Sequence, residues 1–553
     1  MQGTPRLGLR HYALLAVAAL LLLLPGLALL PPIDRDESRY MEATSQMLGT
    51  GNFIDVRFQD RPRYLQPAGI YWLEAASVSL FSTAEARQPW AYRLPSLVGA
   101  VGAVLLTGWI GSTLFGGTAG LVAALLLACS VLLSVEARMA TIDATLLAAV
   151  LTAQAALLRV YLQRDDPAPP KRGVAALYWV ALGAGVMLKG PVILLVSWGT
   201  ILGLLAVERR GAWLRRLHPK WGIPLMLAVV APWCIAIAIV SHGAFFENSV
   251  GQNFLGKVAQ GQQAHGLPPG YYLTVFAPAF WPGSLFAVLA LPFAWANRRR
   301  PEVRFLLAWI LPTWIVFELA VTKLPHYVLP TYPAIACLTA AAAVTPGAWR
   351  IGWTWRLVRS IYGAVWLAVA CGLAIAGPLL LWTLQRTIGP VSIIAAVAVI
   401  GLAVAGFRLT LRGRPLPAMA VSGAAALVLF ASSYALVLPN LTAIWLAPRI
   451  AAAVSSARRC PDSVVASSSF SEPSLVFAVG QDTKLVNAVE AADFLVANRA
   501  CGLALIGTRD TAPFYARMQA AGVTPVPRAA ISGVNYSTGG RLELTLYQAG
   551  KPL

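Results

Sequence analysis

The chain has 553 residues, 58% of them hydrophobic and only 12% charged, with a mean hydropathy of +0.67. No soluble core buries that share of apolar side chains, so most of the chain must face lipid. The 43 Lys and Arg against 23 Asp and Glu give a net charge of +20, but the cations stand in short clusters between apolar runs. That is the pattern of basic loops on one side of a membrane, and it argues against a nucleic-acid partner.

Arg6, Arg10 and His11 precede an apolar run over residues 12–31. At about 20 residues it is long enough to span, and no small-residue cleavage site precedes Pro31-Pro32, so an uncleaved first transmembrane helix is expected. Further spans are expected at 93–114, 118–135, 139–161, 174–189, 191–207, 221–241, 272–296, 304–322, 326–345, 359–383, 388–406 and 417–438, making about 13 in all. With the N-terminus cytoplasmic, the basic loops at 164–172, 209–220, 298–304, 350–359 and 408–414 all fall on the cytoplasmic side. Residues 32–90, residues 242–271, the turn at 322–325 and everything beyond 440 then emerge on the opposite, periplasmic side of a bacterial inner membrane.

Within the first external loop, 38–48 and 69–81 have helical apolar spacing with aromatics and are too short to span, which predicts helices lying along the interface. Residues 242–271 are similar, with Phe245, Phe246, Phe254 and Leu255 on a polar segment. From about 440 the pattern changes. Short apolar runs at 463–466, 474–479 and 502–506 alternate with helical stretches at 488–498 and 511–521, and a hairpin is expected across Gly539-Gly540. The expectation is therefore a polytopic α-helical domain over 1–440 and a small soluble α/β domain over 441–553. Cys129, Cys234, Cys337 and Cys371 lie in apolar helices and read as small hydrophobes. Cys460 and Cys501 lie in the tail and can pair if it is periplasmic.

The ionisable residues of the first external loop are the main candidates for chemistry. Asp36 and Glu37 follow the first span beside Arg35, Arg39 and Tyr40. Acids in a first helical turn are favoured by the helix dipole, which is the bland explanation. Just outside a span, among arginines, the pair also suits proton transfer from an attacking hydroxyl. Asp143, near the external end of the fourth span, either pairs structurally with Arg138 or belongs to the site. Lys189 and Lys323 lie at external span ends, where lysines are disfavoured. They can snorkel, but together with Arg57, Arg61 and Arg63 they suit holding an anion such as a lipid phosphate. His265 is a candidate ligand for a divalent metal with an acid of the first loop, although no second His stands at ligand spacing.

The order Asp36-Glu37-Ser38-Arg39-Tyr40 after the first span, Tyr71-Trp72 on a second interfacial helix, Asp143 in a following helical pair, and Lys323-Leu324-Pro325-His326-Tyr327 before a later helix resembles a known family. It is similar to the GT-C glycosyltransferases of the aminoarabinose lipid A transferase and protein O-mannosyltransferase type. The resemblance implies a sugar donor on a polyprenyl phosphate, usually undecaprenyl phosphate, and inverting transfer to a periplasmic acceptor such as lipid A, another envelope glycolipid or a protein; nothing in the sequence demands more than a monomer. It implies Asp36 as the essential carboxylate with Tyr40 beside it, Asp143 as the second site acid, and Lys323 and Tyr327 in the wall, to which His326 and Gln66 are added as candidates. One position departs from the family. The aminoarabinose transferases have Lys before the Pro of the first loop, where this chain has Gln66-Pro67, so Arg61, Arg63 or Lys189 would have to supply the charge. A transporter or flippase of lipid-linked sugar is the alternative, but no half-to-half repeat is visible and the ionisable residues crowd one face.

Overall fold

A computed structural model describes residues 7–168, 170–249, 251, 267–349 and 352–552. Among these residues, seven helical segments are long and apolar enough to cross a membrane: Pro89–Phe115, Asp143–Leu162, Pro219–Val240, Pro325–Val344, Trp353–Gln385, Pro390–Leu411 and Pro415–Asn440. Four shorter apolar segments, Leu9–Leu23, Gly117–Ala128, Val192–Glu208 and Ser284–Ala296, are also helical. The helices Arg172–Lys189 and Pro301–Leu319 occupy the remaining expected spans. The chain is a polytopic helical membrane protein.

Several expected spans are shorter or broken, each for a local reason. The first helix stops at Leu23 instead of running to residue 31. Pro25 lacks a donor for the helical ladder, and Gly26 adopts φ +86°, where a Cβ would stand 2.5 Å from the Tyr434 carbonyl oxygen. The segment 118–135 divides into Gly117–Ala128 and Val131–Glu136, and 272–296 divides into Tyr271–Ala279, Ser284–Leu289 and Leu291–Ala296 around Pro278, Pro282 and Gly283. These two breaks meet, the Val131 N–H donating to the Trp281 carbonyl at 3.2 Å. Irregular backbone inside a bundle is tolerated when another segment supplies the missing partner.

Small residues set the packing around the site. Pro89–Phe115 lies against Gly117–Ala128 so closely that a Cβ on Gly120 would meet the Gly108 carbonyl oxygen at 2.5 Å. Asp143–Leu162 packs against both Pro89–Phe115 and Arg172–Lys189. At one end of the bundle, Glu208 takes ion pairs from Arg304 at 2.5 Å and Arg164 at 3.8 Å, and the Tyr161 hydroxyl donates to it. The other end carries the first loop. Its helices, Asp36–Thr50 and Gly69–Phe81, stand where the apolar spacing puts them. Between them strands β1 (Arg57–Phe58) and β2 (Arg61–Pro62) form a small antiparallel hairpin that the sequence pattern does not announce.

Beyond residue 440 the chain forms an α/β unit. Strands β3 (Val465–Ser467), β4 (Lys484–Leu485), β5 (Leu503–Gly507), β6 (Val523–Asn535) and β7 (Gly540–Pro552) make one sheet in the order β4-β3-β5-β7-β6. The first three run parallel; β7 runs antiparallel to both β5 and β6. Alternation along β5 sends Leu503 and Leu505 toward Leu446, Ile450 and Val454, and Ala504 and Ile506 toward Leu495, Phe514 and Met518. Cys460 and Cys501 form a disulfide with Cα atoms 5.5 Å apart. The apolar run at 474–479 is a helix, Pro473–Val479, and not a strand. Pro473 opens it, and the Asp34 carboxylate, 440 positions earlier, accepts the Ser474 N–H at 3.0 Å as an N-terminal cap.

That short helix docks the tail onto the first loop. Phe477 is 1% exposed and packs with Met41, Val78, Ala91, Tyr92 and Ala140. Arg87 covers its ring at 5.7 Å and donates to its carbonyl at 2.6 Å. Phe477→Ala is expected to weaken this junction by about 3–5 kcal/mol, the usual range for emptying a buried aromatic site. The check is amide hydrogen exchange, which should accelerate in residues 36–50 and 473–479 while the bundle helices are unchanged.

Candidate active site

The Asp36–Thr50 helix begins after Arg35, a non-glycine residue at φ +68°. The adjacent acids Asp36 and Glu37 separate completely. Glu37 points inward and is fully buried. Its oxygens accept from Arg93 Nε at 2.7 Å and Nη2 at 2.9 Å, and from the N–H groups of Ile33 and Ala140, each at 2.8 Å. Arg93 spends its other donors on the carbonyls of Leu27, Leu30 and Pro31. Every hydrogen-bonding position of this pair is taken, so the catalytic expectation for Glu37 gives way to a structural one. Asp36 points outward with its side chain 66% exposed, and Arg39 one turn on is its ion-pair partner at 3.7 Å.

Behind Asp36 lies an aromatic and cationic wall. Arg63 is 7% exposed, donates from Nε to the Tyr71 hydroxyl at 2.9 Å, and lies over the Tyr40 ring at 4.9 Å. Burial opposes its charge, but the phenols of Tyr71 and Tyr40 and the Asp36 carboxylate outweigh this and raise its pKa. The Tyr40 hydroxyl donates to Gln66 Oε1. Burial, and secondarily the charge of Arg63, lower the pKa of Arg39. Arg57 is absorbed by its own hairpin, bound to Asp55 at 2.9 Å and to the Asp60 carbonyl at 2.5 Å, and Arg61 is exposed on β2. Of the three loop arginines grouped as anion holders, the structure brings Arg63 to the wall behind Asp36.

The second half of the site comes from the bundle. Asp143 is the first residue of its helix and Lys189 the last of the neighbouring one, positions where the helix dipoles favour each charge. Lys189 Nζ meets Asp143 Oδ1 at 2.6 Å and sits over the Tyr327 ring at 5.4 Å. His326 lies between two acids, with Nε2 at 3.8 Å from Asp143 and Nδ1 at 3.5 Å from Glu136. The alternative pairing of Asp143 with Arg138 is not formed. Arg138 instead donates to the carbonyls of Pro25, Ser134 and Leu22 and lies 4.0 Å from the Tyr434 ring centre. Lys323 is 2% exposed and gives its ammonium to the carbonyls of Leu267 at 2.8 Å and Ala320 at 2.6 Å. It closes the end of the Pro301–Leu319 helix, and two of its three ammonium protons are held by backbone carbonyls.

The two halves face each other. The Asp36 charge acts on Glu136 and Tyr327 as well as on Tyr40, Tyr71 and Arg63, and the Asp143 charge acts on Tyr40. Glu136, which is not among the residues singled out from the sequence, joins this group through His326, and an acid seven positions before Asp143 in so apolar a chain is itself a signal. The expected metal ligand His265 lies outside the described residues, and among those residues no group of three or more His, Cys, Asp or Glu side chains is placed to hold a metal ion. One exposed carboxylate thus stands opposite buried cations and phenols, an arrangement suited to activating a nucleophile on one side and receiving an anion on the other.

Two outcomes follow from the buried acids. Glu37→Ala leaves Arg93 buried and unpaired, and is expected to remove about 3–5 kcal/mol, read as a lower unfolding midpoint in detergent. Glu74, fully buried with the Thr44 hydroxyl donating at 2.7 Å, is pushed up to about 8, first by burial and then by the nearby Glu37 charge. The folded protein therefore binds this proton more tightly than the unfolded chain. Stability from it is present below the ordinary value of 4.5 and is lost as pH rises toward about 8. Glu74→Gln should fold normally and flatten the unfolding midpoint across that window.

Residues 65–235 match the family model described as dolichyl-phosphate-mannose-protein mannosyltransferase. The undecaprenyl phosphate-alpha-4-amino-4-deoxy-L-arabinose arabinosyl transferase of Yersinia pestis (strain Pestoides F) is 28% identical over 336 residues, and the chain spans 59% of that relative's length with 59% of its own. The enzyme of the same name from Yersinia enterocolitica is 29% identical over 339 residues, again covering 59% of each. Among solved structures, ArnT from Cupriavidus metallidurans bound to undecaprenyl phosphate superposes with a TM-score of 0.74 at 18% identity, over 97% of this chain and 98% of that one. The Archaeoglobus fulgidus oligosaccharyltransferase superposes with a TM-score of 0.54 at 12% identity, over 98% and 74%. The fold is theirs, and over residues 65–235 the sequence is similar to the mannosyltransferase family.

Proposed function

We propose that the protein is an inverting glycosyltransferase that moves a sugar from an undecaprenyl-phosphate carrier to an acceptor of the bacterial envelope, lipid A or another envelope glycolipid. The observation that carries this reading is the exposed Asp36 carboxylate close enough to act on Arg63 and Tyr327, with Lys189 over the same Tyr327 ring and paired to Asp143. The relatives named for aminoarabinose transfer from undecaprenyl phosphate support the donor class.

In this reading the carrier phosphate rests against Lys189 and Arg63, with Asp143 holding the Lys189 ammonium in place. An acceptor oxygen attacks the anomeric carbon from the side opposite the phosphate, a new carbon–oxygen bond forms, and the carbon–oxygen bond to the phosphate breaks with its electron pair. For a hydroxyl acceptor, Asp36 takes the proton; for a phosphate acceptor it orients the incoming group. The undecaprenyl phosphate leaves as an anion stabilised by the two cations, which act in a site partly closed to water. Gln66 brings no charge and holds the Tyr40 hydroxyl, so Arg63 carries the role of the family lysine.

The same reading places the protein in the inner membrane as a monomer, with about 13 spans, the N-terminus cytoplasmic, and the first loop, residues 242–271 and the 441–553 unit periplasmic. The distribution of basic loops supports that orientation.

The test is transfer of radiolabelled sugar from undecaprenyl phosphate in membranes, wild type beside Asp36→Asn. Label is expected to reach an envelope glycolipid with wild type only, the variant losing at least about 100-fold in turnover while still binding undecaprenyl phosphate. Label on protein would replace the acceptor with a mannosyltransferase-like one. Label that crosses the membrane while still on its carrier would replace the enzyme with a flippase, and full turnover by Asp36→Asn would remove Asp36 from the chemistry.

A further inference from the structure

We infer that the C-terminal α/β unit sets the direction of the Asp36 carboxylate, with Tyr536, Asp34 and Arg35 acting as positioning residues; the inference rests on the transferase reading above. Asp36 is the first residue of its helix, and its one ion pair among the described residues, to Arg39, is long and exposed. The side chain therefore points where the preceding backbone sends it. That backbone is unusual. Arg35 has φ +68° and ψ −103°, a conformation that non-glycine residues occupy only when the surroundings impose it.

The tail imposes it. The Asp34 N–H donates to the Tyr536 hydroxyl at 2.6 Å, and the Asp34 carboxylate accepts from the Ser474 N–H at 3.0 Å. Arg35 Nη2 donates to the Ser537 carbonyl at 2.9 Å. Three contacts from two tail segments thus fix the two residues immediately before Asp36. Burial in this seam pushes the Asp34 carboxyl up to about 6, against the opposing pull of its hydrogen bonds to Ser474.

The tail segments are themselves rigid. Asn535 donates to Glu472 at 2.9 Å and accepts from the Ser537 N–H at 2.9 Å, so the β6–β7 turn and the start of the Pro473–Val479 helix are tied together. Tyr536 packs edge-on against Trp445 at 5.9 Å. A second attachment lies farther along the Asp36–Thr50 helix, where Glu42 pairs with Arg87 at 2.7 Å and Arg87 donates to the Phe477 carbonyl. Held at both places, the helix can neither tilt nor turn about its axis without breaking contacts to the tail. A displacement of the base by about 1 Å is enough to lower turnover by orders of magnitude.

The experiment uses the full-length protein and undecaprenyl-phosphate-linked 4-amino-4-deoxy-L-arabinose, radiolabelled in the sugar. Tyr536→Phe and Asp34→Ala are expected to lower kcat by about 10-fold or more, with KM for the labelled donor changed by less than about twofold. Binding of undecaprenyl phosphate should stay at its wild-type value in both variants, and the unfolding midpoint in Tyr536→Phe; in Asp34→Ala the midpoint falls only by the loss of one helix cap. Asp34→Asn keeps an oxygen to accept the Ser474 N–H and should recover most of the kcat lost in Asp34→Ala. Unchanged kcat in Tyr536→Phe and Asp34→Ala, beside an inactive Asp36→Asn, would overturn the positioning role and leave the transferase reading intact. Parallel loss of kcat, carrier binding and unfolding midpoint would also overturn it, reducing the contact to a structural one. Full turnover by Asp36→Asn would sink the reading of the site itself.

Discussion

The buried pair between Glu37 and Arg93 is the junction on which the polar end of this protein depends. Burying two charges is unfavourable unless nearly every lone pair and proton finds a partner, and here the partners come from the turns after the first helix, from Ile33 and from Ala140. Arg93 gathers the carbonyls that close the first helix, Glu37 holds Ile33 at the start of the external loop, and its other oxygen holds Ala140 just ahead of Asp143. The exposed carboxylate at residue 36 and the acids at 136 and 143 therefore belong to one rigid frame although they are a hundred positions apart. The neighbouring charges Asp36 and Glu37 divide the work between them, one anchoring and one facing out, because successive residues of a helix point about 100° apart.

Much of this was legible in the sequence, and the limits have physical causes. Helix positions followed from apolar length, which is a strong signal when the solvent is lipid and every backbone group must be satisfied within the chain. The clustering of Asp36, Tyr40, Arg63, Asp143, Lys189 and Tyr327 was visible as ionisable and aromatic residues on one face. What a linear reading could not separate was which charges are used internally. Lys323 and Arg57 look like free cations in the chain, and only the fold shows their protons already committed to the carbonyls of Leu267, Ala320 and Asp60. The same holds for Arg138, whose apparent partner Asp143 lies beside Lys189 instead. Breaks at 24–30, 129–130 and 280–283 were also hidden, since hydropathy reports burial and not backbone continuity.

The tail shows a different failure. Its run at 474–479 has the composition of a buried strand, and it becomes a helix because Pro473 begins it and a carboxylate from the far end of the chain caps it. No local rule contains that cap. The hairpin at the end of the chain, by contrast, is announced by glycines, and the parallel strands by short apolar runs between amphipathic helices. Long-range hydrogen bonds between Asp34, Tyr536 and Ser474 make the tail part of the same polar frame as the membrane domain.

The short first helix has a consequence for where the chemistry takes place. Fifteen residues of helix, Leu9–Leu23, rise about 22 Å, less than the roughly 30 Å of hydrocarbon in an ordinary bilayer. For a first helix that crosses, the mismatch is met by the turns of residues 24–30, where Gly26 lies against Tyr434 and the Pro25 carbonyl accepts from Arg138. The external loop then departs from within the apolar layer and not from its rim. Under the proposed transferase reading, a carrier phosphate at headgroup depth would then meet the residues that follow without being lifted into water.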